Sequence, residues 1–159
     1  MFTITRQAGE GWDRSAGGDK GFNLTADEQQ LLERVSDKFH KEGKKVIVVI
    51  NSGSVINTSS WKGLVDGILL AWQPGEEAGH CVADIVTGKV NPSGKLPMTW
   101  PNDLMDHPSS KQFPTTAPDN DKVCRYKEGI NVGYRYFETA GKAVSYPFGY
   151  GLSYTTFSY

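Results

Sequence analysis

The spacing of apolar residues predicts three strands in the first half of the chain. Apolar and polar residues alternate in residues 2–5, Phe-Thr-Ile-Thr, and a period of two is typical of a strand. Residues 45–50 form a β-branched run without alternation, which predicts a strand covered on both faces, as in a parallel sheet. Residues 67–72, Gly-Ile-Leu-Leu-Ala-Trp, also lack polar positions and predict a second buried strand.

Two segments show the helical period instead. Thr25 and Glu28 have the spacing of a capping box, which predicts a helix to about Glu42 with Gly43 as its end. Its apolar positions are Leu31, Leu32, Val35 and Phe39. A second helix is predicted after the Pro and acidic residues of 73–77, ending at Gly88. Its predicted buried face comprises Cys81, Val82, Ile85 and Val86.

The remaining segments are shorter or irregular. Residues 61–65 predict a short helical segment, residues 96–100 a short strand and residues 102–121 a long surface loop. Residues 131–137 predict an aromatic-rich strand, and residues 146–157 an aromatic and Gly-rich connector toward a following domain. The predicted fold is α/β, a mostly parallel sheet with helices on both faces. We expect an α/β core over residues 1–107, and the loop, β-rich tail and connector over 108–159.

Composition narrows the possible functions. A chain of 159 residues suits one domain, and a formal net charge of −1 disfavours nucleic acid or an anionic membrane as partner. Neither a run of 18 apolar residues nor an N-terminal signal is visible. Any signal would lie upstream, which leaves cytoplasmic, periplasmic and secreted locations open. Cys81 and Cys124 are interpreted as a buried helix thiol and a loop thiol.

The sequence gives no reason to expect a cofactor or a metal. His80 has no second ligand at i+4, so a packing or surface role is favoured over a metal site. Residues 51–54, Asn-Ser-Gly-Ser, follow a predicted strand, where a phosphate could bind, but they match no nucleotide-binding motif. A nucleotide-binding domain therefore stays a minor hypothesis.

The most informative stretch is residues 6–14, Arg-Gln-Ala-Gly-Glu-Gly-Trp-Asp-Arg. Its centre is one carboxylate, Glu10, between two glycines that favour a sharp turn. By residue type alone, a solvated loop acid is a more common interpretation than a catalytic one. A strand at residues 2–5 with this stretch directly behind it suggests that upstream sequence belongs to the same fold.

Several motifs, in the same order, resemble the second half of glycoside hydrolase family 3 enzymes, the β-glucosidase family. They are residues 8–14, 23–25, 44–53, 71–77, 90–97, 128–137 and 147–156. The resemblance implies an (α/β)6 sandwich domain that lacks its first strands. It also implies an absent N-terminal (β/α)8 barrel that would supply the nucleophile aspartate, and often a following fibronectin III-like domain.

The resemblance implies that Glu10 is the general acid/base of a retaining β-glycosidase acting on terminal β-linked glucose or a related sugar. Ala8 stands where the family commonly has serine. Trp12 is predicted to form part of a sugar-binding wall, Asp13 and Arg14 to brace the loop, and Glu128 to be structural. The isolated chain is expected to be inactive and prone to self-association. The alternative is a non-catalytic carbohydrate-binding or assembly module.

Overall fold

The computed structural model describes residues 1–9, 14, 21–111 and 126–158. The chain forms two compact units, one of Met1–Ser93 with Leu152–Tyr159 and the other of Gly94–Gly151. The first unit holds a parallel sheet, and the second holds a short antiparallel pair of strands. The predicted division into domains at residues 107 and 108 stays a prediction.

The first unit is built on three parallel strands, which confirms the predicted α/β class. β1 (Phe2–Arg6), β2 (Ile47–Ser52) and β3 (Gly67–Leu70) lie side by side in that order. Their registers pair Phe2 with Val48 and Ile47 with Gly67. Residues 48–50 of the central strand are buried on both faces, as its unbroken β-branched run predicts.

A helix lies on each face of this sheet. In β1 successive side chains alternate, with Ile4 and Arg6 buried and Thr3 exposed. The helix α1 (Ala26–Lys41) is joined to the Arg6 face through Glu28. The helix α2 (Ala78–Val86) borders a groove on the opposite face, which Thr3 also lines. The prediction of helices on both faces is therefore confirmed.

The ends of α1 follow the sequence signals. The Glu28 N–H donates to Thr25 Oγ1 at 3.1 Å, and the Thr25 N–H donates to the Glu28 carboxylate at 2.9 Å. At the other end, Gly43 has a φ of 70°, which only glycine adopts readily. The 3₁₀ helix Lys62–Leu64 lies within the predicted short helical segment. Its neighbour Trp61 is fully buried.

The predicted buried face of α2 is wrong for this chain. Among the described residues, none of the side chains of α2 is buried: Cys81 and Val86 are exposed, while Val82 and Ile85 are half-buried. The helix is amphipathic, but the groove between it and the sheet, about 440 Å³, is open. Periodicity identifies the apolar face of a helix and not whether anything covers it. The Cys81 thiol is accordingly exposed rather than buried.

The third strand also differs from its prediction. β3 ends at Leu70 rather than at residue 72, and all four of its residues are half-buried. It is an edge strand of the described sheet, bonded only to β2. Edge position explains why its apolar residues are less covered than those of β2. No helix in the described ranges is long and apolar enough to cross a bilayer.

In the second unit, β4 (Trp100–Pro101) pairs antiparallel with β5 (Val144–Tyr146). The strand predicted at residues 96–100 is thus reduced to its last residue and Pro101. Two further 3₁₀ helices, Leu104–Asp106 and Pro108–Lys111, lie in the region predicted as a long loop.

The predicted aromatic strand at residues 131–137 is wrong, because the helix α3 (Tyr134–Thr139) occupies most of it. Gly133, directly before the helix, has a φ of 59° and breaks the extended chain. The rings of Tyr134 and Phe137 then lie about one helical turn apart. The Tyr134 ring stacks on the Phe148 ring at 4.8 Å between centroids, and the Phe137 ring contacts the His107 ring edge-on at 5.2 Å. Tertiary ring contacts have overridden a β propensity, which depends on context.

Candidate functional site

The segment singled out by its sequence begins at the carboxyl edge of the parallel sheet. β1, β2 and β3 end at Arg6, Ser52 and Leu70, and parallel strands bring their carboxyl ends to one edge. Open α/β sheets bind ligands at this edge. Glu10, Trp12 and Asp13 lie outside the described residues, whereas Arg6 and Gly21, on either side of the segment 7–20, are described.

Arg6 is the centre of the contacts at this position. Its side chain is 1% exposed, and its Nη1 and Nη2 donate to the two carboxylate oxygens of Glu28 at 2.8 and 2.5 Å. The other donors reach the carbonyl oxygens of Thr5 at 2.8 Å, Gly21 at 3.2 Å and Asn23 at 3.3 Å. A guanidinium has five N–H donors. All five are therefore used, and the buried charge is paired.

Glu28 serves two structures at once. Its carboxylate accepts from the Thr25 N–H to close the capping box of α1, and it accepts both N–H groups of Arg6. Burial acts to raise the pKa of Glu28, but the hydrogen bonds from Arg6 and Thr25 outweigh it and lower the pKa overall. The start of α1 is thereby tied to the end of β1.

Arg14 supplies a second connection, from inside the segment. Its Nη2 donates to the Val55 carbonyl oxygen and its Nη1 makes a long, 3.5 Å bond to the Gly21 carbonyl oxygen. Arg14 was predicted to brace this loop, and its described partners are backbone carbonyl groups. Burial, and then the positive charge of Arg6, lower the pKa of Arg14. Two guanidinium groups thus converge on the carbonyl group of Gly21.

The residues that follow Gly21 are held to the loop behind β2. The Asn57 N–H donates to the Phe22 carbonyl oxygen at 2.7 Å, and Asn57 Nδ2 donates to Asn23 Oδ1 at 2.8 Å. Asn57 is held in turn, because the buried Trp61 ring donates from Nε1 to its carbonyl oxygen at 2.7 Å. The chain directly after the segment 7–20 is therefore hydrogen-bonded to a loop that the buried Trp61 holds in place.

The loops after β2 and β3 complete this edge. Ser52 is buried, and its hydroxyl donates to the Ser54 carbonyl oxygen at 2.6 Å and accepts from the Ser54 N–H at 3.3 Å. The Ser54 N–H is thus occupied locally, which weakens the phosphate-binding interpretation of residues 51–54. Trp72, just after β3, has a φ of 53°, a region that bulky residues rarely adopt. Strained backbone of this kind clusters at functional sites.

The other sequence candidates lie elsewhere. Glu128 is in the second unit, is half-buried, and its carbonyl oxygen accepts from the Asn131 N–H at 3.1 Å. His80 is exposed and contacts the Glu77 carboxylate at 2.6 Å through Nδ1. Across the described ranges, no group of three or more His, Cys, Asp or Glu residues has a geometry that could hold a metal ion.

Arg6 belongs to the stretch 6–14 but received no role from the sequence, although a signal was present. Ile4 and Arg6 are two residues apart in a strand and so point to the same face, which the sheet buries. A charged residue at a buried strand position needs a partner of opposite charge. The most direct partner was Glu28, which had been noted only as a helix cap.

Comparison with known proteins yields a consistent result. The profile of the Glycosyl hydrolase family 3 C-terminal domain matches residues 1–154. Beta-glucosidase A of Butyrivibrio fibrisolvens is 42% identical, over 99% of this chain and 21% of its own length. An exo-alpha-(1->6)-L-arabinopyranosidase of Bifidobacterium longum is also 42% identical, over 93% of this chain and 18% of its own length.

A solved structure extends the likeness to three dimensions. Beta-glucosidase 3B from Thermotoga neapolitana, in complex with glucose, superposes with a TM-score of 0.91 and 52% sequence identity. The match covers 97% of this chain and 21% of that protein. The chain therefore spans about a fifth of the length of the proteins that it matches.

Proposed function

The chain belongs to glycoside hydrolase family 3, as its C-terminal domain, and we propose that it supplies Glu10 as the general acid/base of a retaining β-glycosidase. The observation that carries this proposal is the position of Arg6 and Gly21, the described residues on either side of the segment 7–20. The segment follows β1 at the carboxyl edge of the sheet, where open α/β sheets bind ligands, and Arg6 binds the Gly21 carbonyl group directly after it. A glutamate between two glycines in this segment suits a side chain that is presented to a substrate.

The chemistry needs two carboxyl groups. In a retaining mechanism they stand about 5 to 5.5 Å apart, one as nucleophile and one as acid and then base. Glu10 would protonate the glycosidic oxygen as the aglycone leaves and would then take a proton from the attacking water. The nucleophile would come from the barrel part of a full-length enzyme. Trp12 would form part of the wall that contacts the sugar.

The substrate class is a terminal β-linked glucose or a related sugar. One relative is named a beta-glucosidase and another an exo-alpha-(1->6)-L-arabinopyranosidase, and each is 42% identical to this chain. We infer that parts of the enzyme outside this domain largely set which sugar is cleaved. General acid–base assistance contributes about 10²- to 10⁴-fold and acts only on a bound sugar, so the isolated chain would be inactive.

The experiment uses a full-length polypeptide in which this chain follows a family 3 barrel, with Glu10→Gln as the variant. We expect hydrolysis of phenyl β-glucoside to fall by about 10²-fold or more. Dinitrophenyl β-glucoside has a leaving group that needs no protonation, so the variant should still release dinitrophenol in the first step. Azide should then restore turnover by attacking in place of water, with glycosyl azide as the product. Glu128→Gln is the matched control. Parent-like activity of Glu10→Gln on the phenyl substrate would refute the proposal.

We also propose that the isolated chain self-associates, because of the open groove beside α2. Apolar side chains of Met1, Val82 and Val86 line it, Met1 and Val86 are exposed, and neighbouring exposed apolar side chains favour association. Light scattering at tens of micromolar tests this. Val82→Glu should shift the chain toward a monomer, and a parent chain that is already monomeric would contradict the proposal.

A second candidate is a carbohydrate-binding module without catalysis. The Tyr134 and Phe148 rings stack on each other at 4.8 Å and are each about half exposed, 42% and 50%. Exposed aromatic rings can stack against the apolar faces of sugar rings. Calorimetric titration of the isolated chain with glucose and cellobiose separates the two candidates. A saturable signal that Tyr134→Ala abolishes would favour the module.

A further inference from the structure

The ends of the segment 7–20 are held together by one side chain. Arg6 stands directly before the segment, and its Nε donates to the carbonyl oxygen of Gly21, directly after it, at 3.2 Å. We propose that Arg6, fixed by Glu28, is a positioning residue that sets where this segment, which carries Glu10, leaves β1 and where the chain continues toward α1. The inference rests on the proposed role of Glu10.

The geometry of a guanidinium is essential to this role. Two of the five donors of Arg6 bind the Glu28 carboxylate as a planar fork, and the others reach three separate carbonyl groups. A lysine has three donors on one atom and cannot span partners on both sides. Arg6→Lys therefore keeps the positive charge but loses the simultaneous connection to Glu28 and Gly21.

The arrangement is not the simplest way to build a stable sheet. An apolar side chain at the position of Arg6 would lie on the buried face that it shares with Ile4 and would need no partner of opposite charge. Instead, Arg6 and Arg14 both bind the Gly21 carbonyl group, and among the described residues Glu28 supplies the carboxylate that pairs with Arg6. Departures from simple packing are expected where function requires them.

Loss of the Arg6 contacts would affect the rate of catalysis by Glu10 as well as the stability of the fold. A misplacement of about 1 Å in a catalytic group can cost about 10²-fold in rate. Loss of the connection at Gly21 would let the segment shift relative to a sugar bound outside this domain. In kcat/KM, which reports the first step, the cost would appear only where protonation of the leaving group limits the rate.

The test uses the full-length polypeptide with Arg6→Lys and Glu28→Gln. A Gln at this position still accepts from the Thr25 N–H, so the capping box survives while the ion pair is lost. Thr25→Ala is the matched control, because it weakens the cap and leaves Arg6 on Glu28. For Arg6→Lys and Glu28→Gln we expect kcat/KM to fall by about 10- to 10²-fold on phenyl β-glucoside. On dinitrophenyl β-glucoside we expect little change.

Hydrogen exchange of residues 7–20 is measured on the same proteins. It should accelerate in Arg6→Lys and Glu28→Gln and not in Thr25→Ala. Unchanged exchange in the first two variants, or equal loss on both substrates, would overturn the proposal. If Glu10→Gln proves fully active while Arg6→Lys still accelerates exchange, the catalytic role of Glu10 fails and control of the segment by Arg6 is supported.

Discussion

The side-chain amide of Asn91 binds the backbone of Tyr154, 63 residues further along the chain. Asn91 Oδ1 accepts the Tyr154 N–H at 2.9 Å and the Ser153 hydroxyl at 3.0 Å, while Nδ2 donates to Thr155 Oγ1 at 2.9 Å. The Tyr154 hydroxyl also donates to the carbonyl oxygen of Ile85 at 2.7 Å. Two motifs that are far apart in sequence are thus joined within the first unit, and the C-terminal segment is held to the end of α2.

We predict that Asn91→Ala releases the C-terminal segment. Three hydrogen bonds are lost, each with a net contribution of about 0.5 to 1.5 kcal/mol in general, although their exposure places them at the lower end. Limited proteolysis should cut around residues 152–158 several-fold faster than in the parent. Asn91→Asp is the control, because it retains the acceptor for Tyr154 and loses only the donor to Thr155. Its cleavage rate should lie between the other two.

The double role of Glu28 predicts an order of stabilities. Glu28→Ala leaves the buried guanidinium of Arg6 without its carboxylate, which costs about 3 kcal/mol, and it also removes half of the capping box. Thr25→Ala removes only the cap hydroxyl and should cost about 1 kcal/mol. Urea unfolding followed by tryptophan fluorescence measures both. Equal losses would mean that the Arg6–Glu28 pair adds nothing beyond capping.

Asp66 predicts a loss of stability in acid. Bonds from Lys45 Nζ, the Val46 N–H and His40 Nε2, each 2.8 Å long, lower the pKa of Asp66 well below its ordinary value of 3.8. Because the folded-state pKa is depressed, the stabilisation is fully present above that ordinary value. It is lost as the pH falls through the folded-state pKa.

The measurement compares unfolding of the parent and of Asp66→Asn as a function of pH. Their free energies of unfolding should differ most at pH 5 and above, and the difference should shrink progressively below about pH 4. Asp37→Asn, which breaks a pair between exposed residues on α1, controls for removal of any surface carboxylate. If the difference in free energy of unfolding between parent and variant stays constant down to pH 2, Asp66 has the same pKa in the folded and unfolded states.

A close approach of two chain segments predicts that Gly151 cannot be replaced. A Cβ at this position would meet the carbonyl oxygen of Gly94 and would lie 2.9 Å from Lys95 Cδ. Gly151→Ala should destabilise the second unit by about 1 to 3 kcal/mol through overpacking. In α2, a Cβ at Gly79 would meet no atom within 4 Å. Gly79→Ala should therefore stabilise by up to about 1 kcal/mol, and thermal unfolding of both variants checks the contrast in sign.

The sequence by itself determined the elements whose signals are local. The capping box at Thr25 and Glu28, the end of α1 at Gly43 and the unbroken β-branched run of β2 all appear as predicted. These features depend on hydrogen bonds within a few residues, or on burial strong enough to leave its mark on every position. The motifs in the chain likewise pointed to the family that the comparisons show.

Only the tertiary structure decided the features that depend on distant partners. None of the described side chains of α2 is buried, and residues 134–139 are helical, because burial and ring contacts come from elsewhere in the fold. Arg6 gained its importance in the same way, since Gly21, Asn23 and Glu28 converge on it from 15 to 22 residues away. A local pattern shows which face of an element is apolar or charged. What that face meets is set by the packing of the whole chain.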